Sequence, residues 1–204
     1  MKQLIPAVIL VGGKGTRMGG VEKPLLKLAG RSLLDHIIER LRPQVSAIAL
    51  STPQDGSAYP EFGFTLLPDD ASGLGPLTGL SSALRWAKQH HPSASHVALF
   101  AGDTPFLPHD VIERLADRVQ SKALCAFAHS KDQIHYSTGL WPLSSHVTLE
   151  TYQERSEDRS LRGLARQIGF HSVEWNEDDD PFFNINTPRE LTRAETRYAR
   201  LNPR

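Results

Sequence analysis

Two spacings of apolar residues alternate along the chain. Pro6 to Val11 (PAVILV) is a continuous apolar run, which reads as a strand buried on both faces. The next segment, SLLDHIIERLRP, changes to helical spacing. Leu33, Leu34, Ile37, Ile38 and Leu41 share one stripe, Ser32 is placed to cap the start, and Pro43 ends it. Val45 to Ser51 reads as a second strand and FTLLPDD as a short third. Helical spacing returns through Leu77, Leu80, Leu84 and Ala87. His96 to Asp103 is an apolar run that ends on a carboxylate. A helix is predicted from Pro108 through Val111, Ile112, Leu115 and Val119, followed by a strand in ALCAFA.

The last third is less regular. Ser137 to Leu143 reads as a strand, RSLRGLARQIG as a short helix closed by Gly169, and HSVEW and FFNIN as strand-like. A terminal helix starts at Thr187 with Pro188 in its first turn. NEDDDP reads as a solvated acidic loop rather than a metal site. Strand and helix alternate with near-continuous apolar strands, which predicts an α/β fold, a Rossmann-like three-layer sandwich around a mostly parallel sheet. No repeat or linker divides the sequence, so a single domain spanning 1–204 is expected. In such sheets ligands bind beyond the carboxyl ends of the strands. The loop after the first strand and Asp103 would then face one crevice.

Composition narrows the class. The chain has 204 residues, 39% hydrophobic and 23% charged, as in soluble globular proteins with one substantial core. Lys+Arg and Asp+Glu both number 23, so there is no surplus of positive charge for nucleic acid or a membrane surface. No apolar run approaches the roughly 20 residues that span a bilayer. LIPAVILV runs into a charged glycine-rich loop without a small-x-small cleavage site, which argues against a signal peptide. Cys125 is the single cysteine, so an internal disulfide is excluded, and its apolar surroundings suggest a buried, inert thiol. A cytoplasmic location is the expectation.

The chemistry concentrates in VILVGGKGTRMGGVEKPLL, Val8 to Leu26. Five glycines lie beside Lys14, Arg17 and Lys23. Backbone amides and cations converging on one loop point to a bound anion. A Walker-type loop requires Gly-Lys followed by Ser or Thr, but Gly13-Lys14 is followed by Gly15. A dinucleotide loop requires G-x-G-x-x-G, but the third position is Met18.

Gly12, Gly13, Arg17, Met18, Gly19 and Lys23 instead match, in register, the G-G-x-x-x-R-M-G-x-x-K loop with which nucleotidyltransferases wrap a nucleoside triphosphate. Three further blocks, GPLTGLSSAL, AGDTPFLP and FNINTPREL, make the chain resemble the molybdenum cofactor guanylyltransferases over most of its length. The chain departs from that family in having Val11 before the glycine pair and Ser51 where asparagine is frequent.

The resemblance implies a nucleotidyltransferase fold and a reaction. GMP passes from GTP to the terminal phosphate of Mo-molybdopterin, with Mg²⁺ as cofactor, giving molybdopterin guanine dinucleotide and pyrophosphate. Other cofactor-biosynthesis proteins and acceptor molybdoenzymes are candidate partners. The resemblance assigns Arg17, Lys23 and Asp103 to catalysis, with Asp103 as the metal ligand. It assigns nucleotide contacts to Leu10, Val11, Gly12, Gly13, Lys23, Ser51, Asp69, Gly75, Pro76, Leu77 and Asp103. Acceptor contacts fall to Arg159, Asn184 and Asn186, so the N-terminal half mainly serves GTP and Mg²⁺ and the C-terminal part the pterin.

Each residue type suits its part. Arginine can bind phosphate oxygens bidentately and lysine supplies a point charge. A single carboxylate with phosphate oxygens is a common Mg²⁺ site. A carboxylate at Asp69 could accept from guanine N1–H and N2–H. The phosphate nucleophile is already largely ionised near neutrality, so no general base is assigned. The nine histidines fall outside the recognised blocks, with His90 and His91 at a helix end. Several assignments have alternatives: Asp103 as a helix cap, Asp70 for Asp69, and Arg162 for Arg159. Lys23 could be a surface lysine at a helix start, and Asp69 or the two asparagines could be turn residues. A cytidylyltransferase acting on the same pterin, and a non-catalytic nucleotide sensor or cofactor scaffold, are the rival functions.

Overall fold

The computed structural model describes residues 5–12, 22–52, 59, 62–69, 75–119 and 124–203. Its centre is a seven-stranded sheet. The strands are β1 (Ala7–Leu10), β4 (Ile48–Thr52), β5 (Thr65–Pro68), β6 (His96–Ala101), β7 (Cys125–Ser130), β8 (Gln133–Pro142) and β9 (Phe170–Trp175). Their spatial order is β5-β4-β1-β6-β8-β7-β9. Only β8 runs against the others, paired antiparallel to both β6 and β7. The remaining pairs are parallel. A two-stranded ribbon of β2 (Lys27–Leu28) and β3 (Arg31–Ser32) stands apart. The expected mostly parallel sheet is present.

Alternation along the strands sends neighbouring side chains to opposite faces. Ala7, Ile9 and Val11 of the first strand region join Leu50, Ala98 and Phe100 in one apolar cluster. That cluster is covered by α1 (Leu33–Leu41) and α3 (Val111–Ala116). Val8, Ala49, Val97 and Leu99 point the other way, beneath α2 (Pro76–His90), α4 (His146–Arg155) and α5 (Leu161–Ile168). A smaller cluster, with Leu28, Leu33, Phe106, Ile185 and Ala194, seats α6 (Pro188–Leu201) on the ribbon. The result is a sheet between two helical layers.

Local signals work as expected in several places. Ser32 caps α1: its hydroxyl accepts from the Asp35 amide, and Asp35 accepts in return from the Ser32 amide. Thr187 caps α6 with Pro188 in the first turn. Cys125 is buried, and burial pushes its thiol far above the ordinary range.

Other expectations need correction. FFNIN is not a strand. Residues 182–186 cross the strand ends as irregular chain, held by the Ile185 amide donating to the Asp103 carbonyl at 3.0 Å. The helix expected from Pro108 starts at Val111, because Pro108 to Asp110 form the preceding turn. Strand β8 starts at Gln133, and α4 follows it where no helix was expected, with only Leu149 and Tyr152 buried. NEDDDP is exposed from Asn176 to Asp178, as expected of a solvated loop, but is tied down at its far end. Asp180 accepts from the Ser130 hydroxyl at 2.6 Å, and Arg200 pairs with Asp179.

Candidate active site

The strand order changes direction at β1: β4 and β5 lie to one side, β6 to the other. Such a switch opens a crevice at the carboxyl ends of the strands. A cleft of about 140 Å³ lies there, lined by Leu10 to Gly12, Lys23, Pro24 and Ala101 to Asp103. It forms because the walls approach closely at glycines. The Gly102 amide donates to the Leu10 carbonyl at 3.0 Å. A Cβ on Gly102 would stand 2.8 Å from that oxygen and 2.8 Å from Pro24 Cγ. On the other side of β1, a Cβ on Gly79 would meet Leu10 Cδ2 at 2.4 Å and Ser51 Oγ at 2.8 Å. Helix α2 therefore lies directly on the ends of β1 and β4. Its start, at Gly75 and Pro76, carries no side-chain cap.

Asp103 sits on the turn after β6, and no helix begins there, so it is not a helix cap. Its Oδ1 accepts from Asn184 Nδ2 at 2.9 Å. Its Oδ2 lies 3.6 Å from Lys23 Nζ, which also donates to Asn186 Oδ1 at 2.5 Å. Four residues of the sequence-based assignment thus meet in one cluster, and both asparagines reach it from the irregular 182–186 segment. Lys23 opens a three-residue 3-10 turn with Pro24 behind it, and its side chain is 24% exposed. Burial pushes the Asp103 carboxyl above its ordinary range, while Lys23 and Asn184 pull it partly back. A half-hidden carboxylate facing an open cleft is a group that gains from a further cation.

Among the described residues, no three histidine, cysteine, aspartate or glutamate side chains gather into a metal cage. The residues present fit a divalent ion bound by one carboxylate with phosphate oxygens completing its shell, the usual arrangement for Mg²⁺.

Other residues that the sequence assigns to the nucleotide lie at the ends of β1, β4 and β5 and at the start of α2. Ser51 is buried and donates to Asp69 Oδ1 at 3.1 Å. The Asp69 amide donates to the Thr52 carbonyl. Val11 does not crowd the cleft with its side chain, which is 1% exposed and packs in the core beside Ile9 and Tyr59. Leu10, Val11, Gly12, Gly75, Pro76 and Leu77 lie at the strand ends and at the start of α2. Gly13, Arg17, Met18, Gly19 and the alternative Asp70 lie outside the described residues. Arg159 is exposed and donates to the Gln153 carbonyl at the end of α4; no described contact joins it to the Lys23–Asp103 cluster.

Tyr59 was not singled out by sequence. It is fully buried, and its hydroxyl faces the Val11 carbonyl at 3.2 Å and Glu22 Oε2 at 2.8 Å. It ties the end of the first strand to the residue before Lys23. A lone tyrosine in a segment rich in proline and glycine carries no periodic signal, so only the fold reveals it. The histidines stand away from the cluster: His36 bonds the Leu28 carbonyl, His96 the Leu124 carbonyl, and His91 packs its ring on Trp86.

Residues 7–173 match the family model of the MobA-like NTP transferase domain. A molybdenum cofactor guanylyltransferase of Bradyrhizobium sp. (strain ORS 278) is 36% identical over 194 residues, which is 94% of this chain and 92% of that protein. The fold resembles molybdopterin-guanine dinucleotide biosynthesis protein A from Archaeoglobus fulgidus, with a TM-score of 0.72 and 24% identity, covering 96% of this chain and 100% of that one. It equally resembles 4-diphosphocytidyl-2C-methyl-D-erythritol synthase from Anaerococcus prevotii, with a TM-score of 0.74 and 12% identity over 97% and 96% of the two chains. Architecture alone is therefore shared by enzymes of different substrates, while sequence identity separates them. The chain belongs to the MobA-like NTP transferase family.

Proposed function

We propose that the protein transfers GMP from GTP to the terminal phosphate of Mo-molybdopterin, releasing pyrophosphate. The observation that carries this reading is the meeting of Lys23, Asp103, Asn184 and Asn186 at the strand ends. An oxygen of the acceptor phosphate attacks the α-phosphorus of GTP. A new phosphorus–oxygen bond forms, the bond to the bridging oxygen breaks, and its electron pair leaves with pyrophosphate. The attacking phosphate is ionised near neutral pH, so proton removal is not the difficulty. The task is to neutralise charge and hold the reactants in line.

Lys23 neutralises triphosphate charge from a position set by Asn186 and Asp103. The resemblance gives Arg17 the same work. Asp103 is the proposed Mg²⁺ ligand, kept in orientation by Asn184; Mg²⁺, when bound, would neutralise phosphate charge. Asp69, set by Ser51, accepts from the guanine edge, and the uncapped start of α2 at Gly75 to Leu77 lies beside the base. Asn184 and Asn186 present amides to the acceptor phosphate and pterin, and Arg159 extends that side. A binding protein without turnover has less use for a carboxylate held against a lysine at the strand ends.

The test is pyrophosphate release with Mo-molybdopterin, Mg²⁺ and GTP, CTP or ATP in separate reactions. Release with GTP alone supports the proposal. Preference for CTP would move the protein to the cytidylyl reaction on the same fold. Tight Mg²⁺-dependent GTP binding without release would make it a nucleotide sensor.

A further inference from the structure

The segment that brings Asn184 and Asn186 to the cluster is itself irregular, so something else must hold it. Its anchor is Asp180. Asp180 Oδ1 accepts from the Ser130 hydroxyl at 2.6 Å and from the Phe182 amide at 2.9 Å. Its backbone carbonyl accepts from the Arg197 guanidinium of α6 and, at 3.4 Å, from the Phe183 amide. Ser130 ends β7, is 2% exposed, and has His135 Nε2 at 2.8 Å on its other side. Since the one hydroxyl proton goes to Asp180, His135 Nε2 carries the proton that completes the chain. The His135 ring packs on Phe182 at 5.1 Å, and Phe182 stands edge-on to Trp175 at 5.0 Å. Phe182 and Trp175 are fully buried.

Asp180 thus ties the β7–β8 hairpin through its carboxylate, and α6 through its backbone carbonyl, to the turn four residues before Asn184. Beyond it the segment is attached by the Ile185 amide to the Asp103 carbonyl, by Asn184 to the Asp103 carboxylate, by Asn186 Oδ1 to Lys23, and by the Asn186 amide, which donates to Glu190 Oε2 at 2.8 Å in the first turn of α6. We propose that Asp180, with Ser130, is a positioning residue for the acceptor side of the site: it sets where Asn184 and Asn186 stand against Asp103 and Lys23. Neither residue touches the reacting atoms. A loosened turn leaves the β1 end and the nucleotide side intact while the asparagine pair drifts. This rests on the proposed transfer reaction for its kinetic consequence, but not for its structural one.

Two measurements test it. Amide hydrogen exchange in the substrate-free protein reads the segment directly. In Asp180→Ala, the Ile185 and Asn186 amides exchange about tenfold or more faster, as when a charge-assisted bond is lost, while amides of β1 and β6 keep wild-type rates. Asp180→Asn retains an acceptor for both donors and restores protection. In steady state, Asp180→Ala and Ser130→Ala raise the KM for Mo-molybdopterin by roughly tenfold and leave the KM for GTP unchanged, and Asp180→Asn recovers most of the loss. Unaltered exchange at residues 185–186 in Asp180→Ala would overturn the proposal, as would an equal rise in both KM values. If the wild type releases no pyrophosphate, the transfer reading fails, and the exchange comparison alone decides the positioning role.

Discussion

Replacing Gly102 by alanine puts a methyl group where the end of β1, the turn after β6 and the Lys23–Pro24 turn meet. The added Cβ would lie 2.8 Å from the Leu10 carbonyl oxygen and 2.8 Å from Pro24 Cγ. An ordinary carbon–carbon contact is about 3.5 Å or more and a carbon–oxygen contact about 3.3 Å, so Pro24 must yield roughly 0.7 Å and the Leu10 oxygen roughly 0.5 Å. Leu10 is backbone in a central strand and cannot move cheaply. If Gly102 retreats instead, its 3.0 Å bond to Leu10 is stretched beyond useful length. Overpacking of this kind costs about 1–3 kcal/mol. At roughly 2–4 °C per kcal/mol for a chain of this size, Tm falls by about 2–12 °C. The kinetic effect should be larger, because the displaced groups adjoin Lys23 and Asp103. A misplacement near 1 Å can cost about a hundredfold in rate. Thermal melts and pyrophosphate release with saturating GTP measure the two effects. Gly30→Ala is the control: Gly30 has φ +82° but open space around its Cβ position, so it should lose about 1 kcal/mol of stability and keep full turnover. Wild-type Tm and turnover in Gly102→Ala would refute the close-approach reasoning.

Lys23→Ala should weaken Mg²⁺-dependent GTP binding at least tenfold by titration calorimetry, since it removes the cation proposed to meet the triphosphate. Asp103→Asn should abolish turnover yet leave the metal-free fold intact in a thermal melt. The Asp103 carboxyl is raised in the folded state, so its protonated form favours folding: stability falls as pH rises from about 4 and the charge develops, and the Asn variant should show a flatter Tm profile on that side. His96 has the opposite sign, because burial lowers it and the native ring stays neutral. Stability should fall as pH drops below about 6.5, with a shallower fall in His96→Asn. Tyr59→Phe leaves Glu22 without its 2.8 Å donor and should cost about 1–2 kcal/mol in urea unfolding, with a weaker grip on GTP.

Continuous apolar runs and capped amphipathic helices were readable in the sequence because each is decided within a few residues. β1, α1, β4 and β6 are of that kind, and α2 was legible from its apolar spacing alone, without a side-chain cap. The acceptor half resisted because its order comes from distant partners. The early part of β8, QIHY, runs from exposed Gln133 through half-buried Ile134 and Tyr136 about a buried His135, and its pairing with β7 decides the strand. FFNIN has the apolar alternation of a strand, but its Phe182 and Phe183 amides are taken up by the Asp180 turn and its Ile185 amide by Asp103. At the site, Lys23, Asp103, Asn184 and Asn186 could be named from motif register. Their mutual contacts could not, nor could Tyr59, Asp180 and Gly102, whose roles are created by close approach in space.

The bond between Lys23 and Asn186 joins positions 163 residues apart, and that between Asn184 and Asp103 joins positions 81 apart. Chains fold from the N-terminus as they emerge during synthesis. A nascent chain that has released β1, β4 and β6 already holds its glycine-rich loop, Lys23 and Asp103, but neither asparagine has yet left the ribosome. The cluster closes only when the 182–186 segment arrives, close to the end of translation. A prematurely terminated chain would therefore carry the nucleotide side of the site without the groups that complete it, and a nonsense product would occupy GTP without being able to spend it.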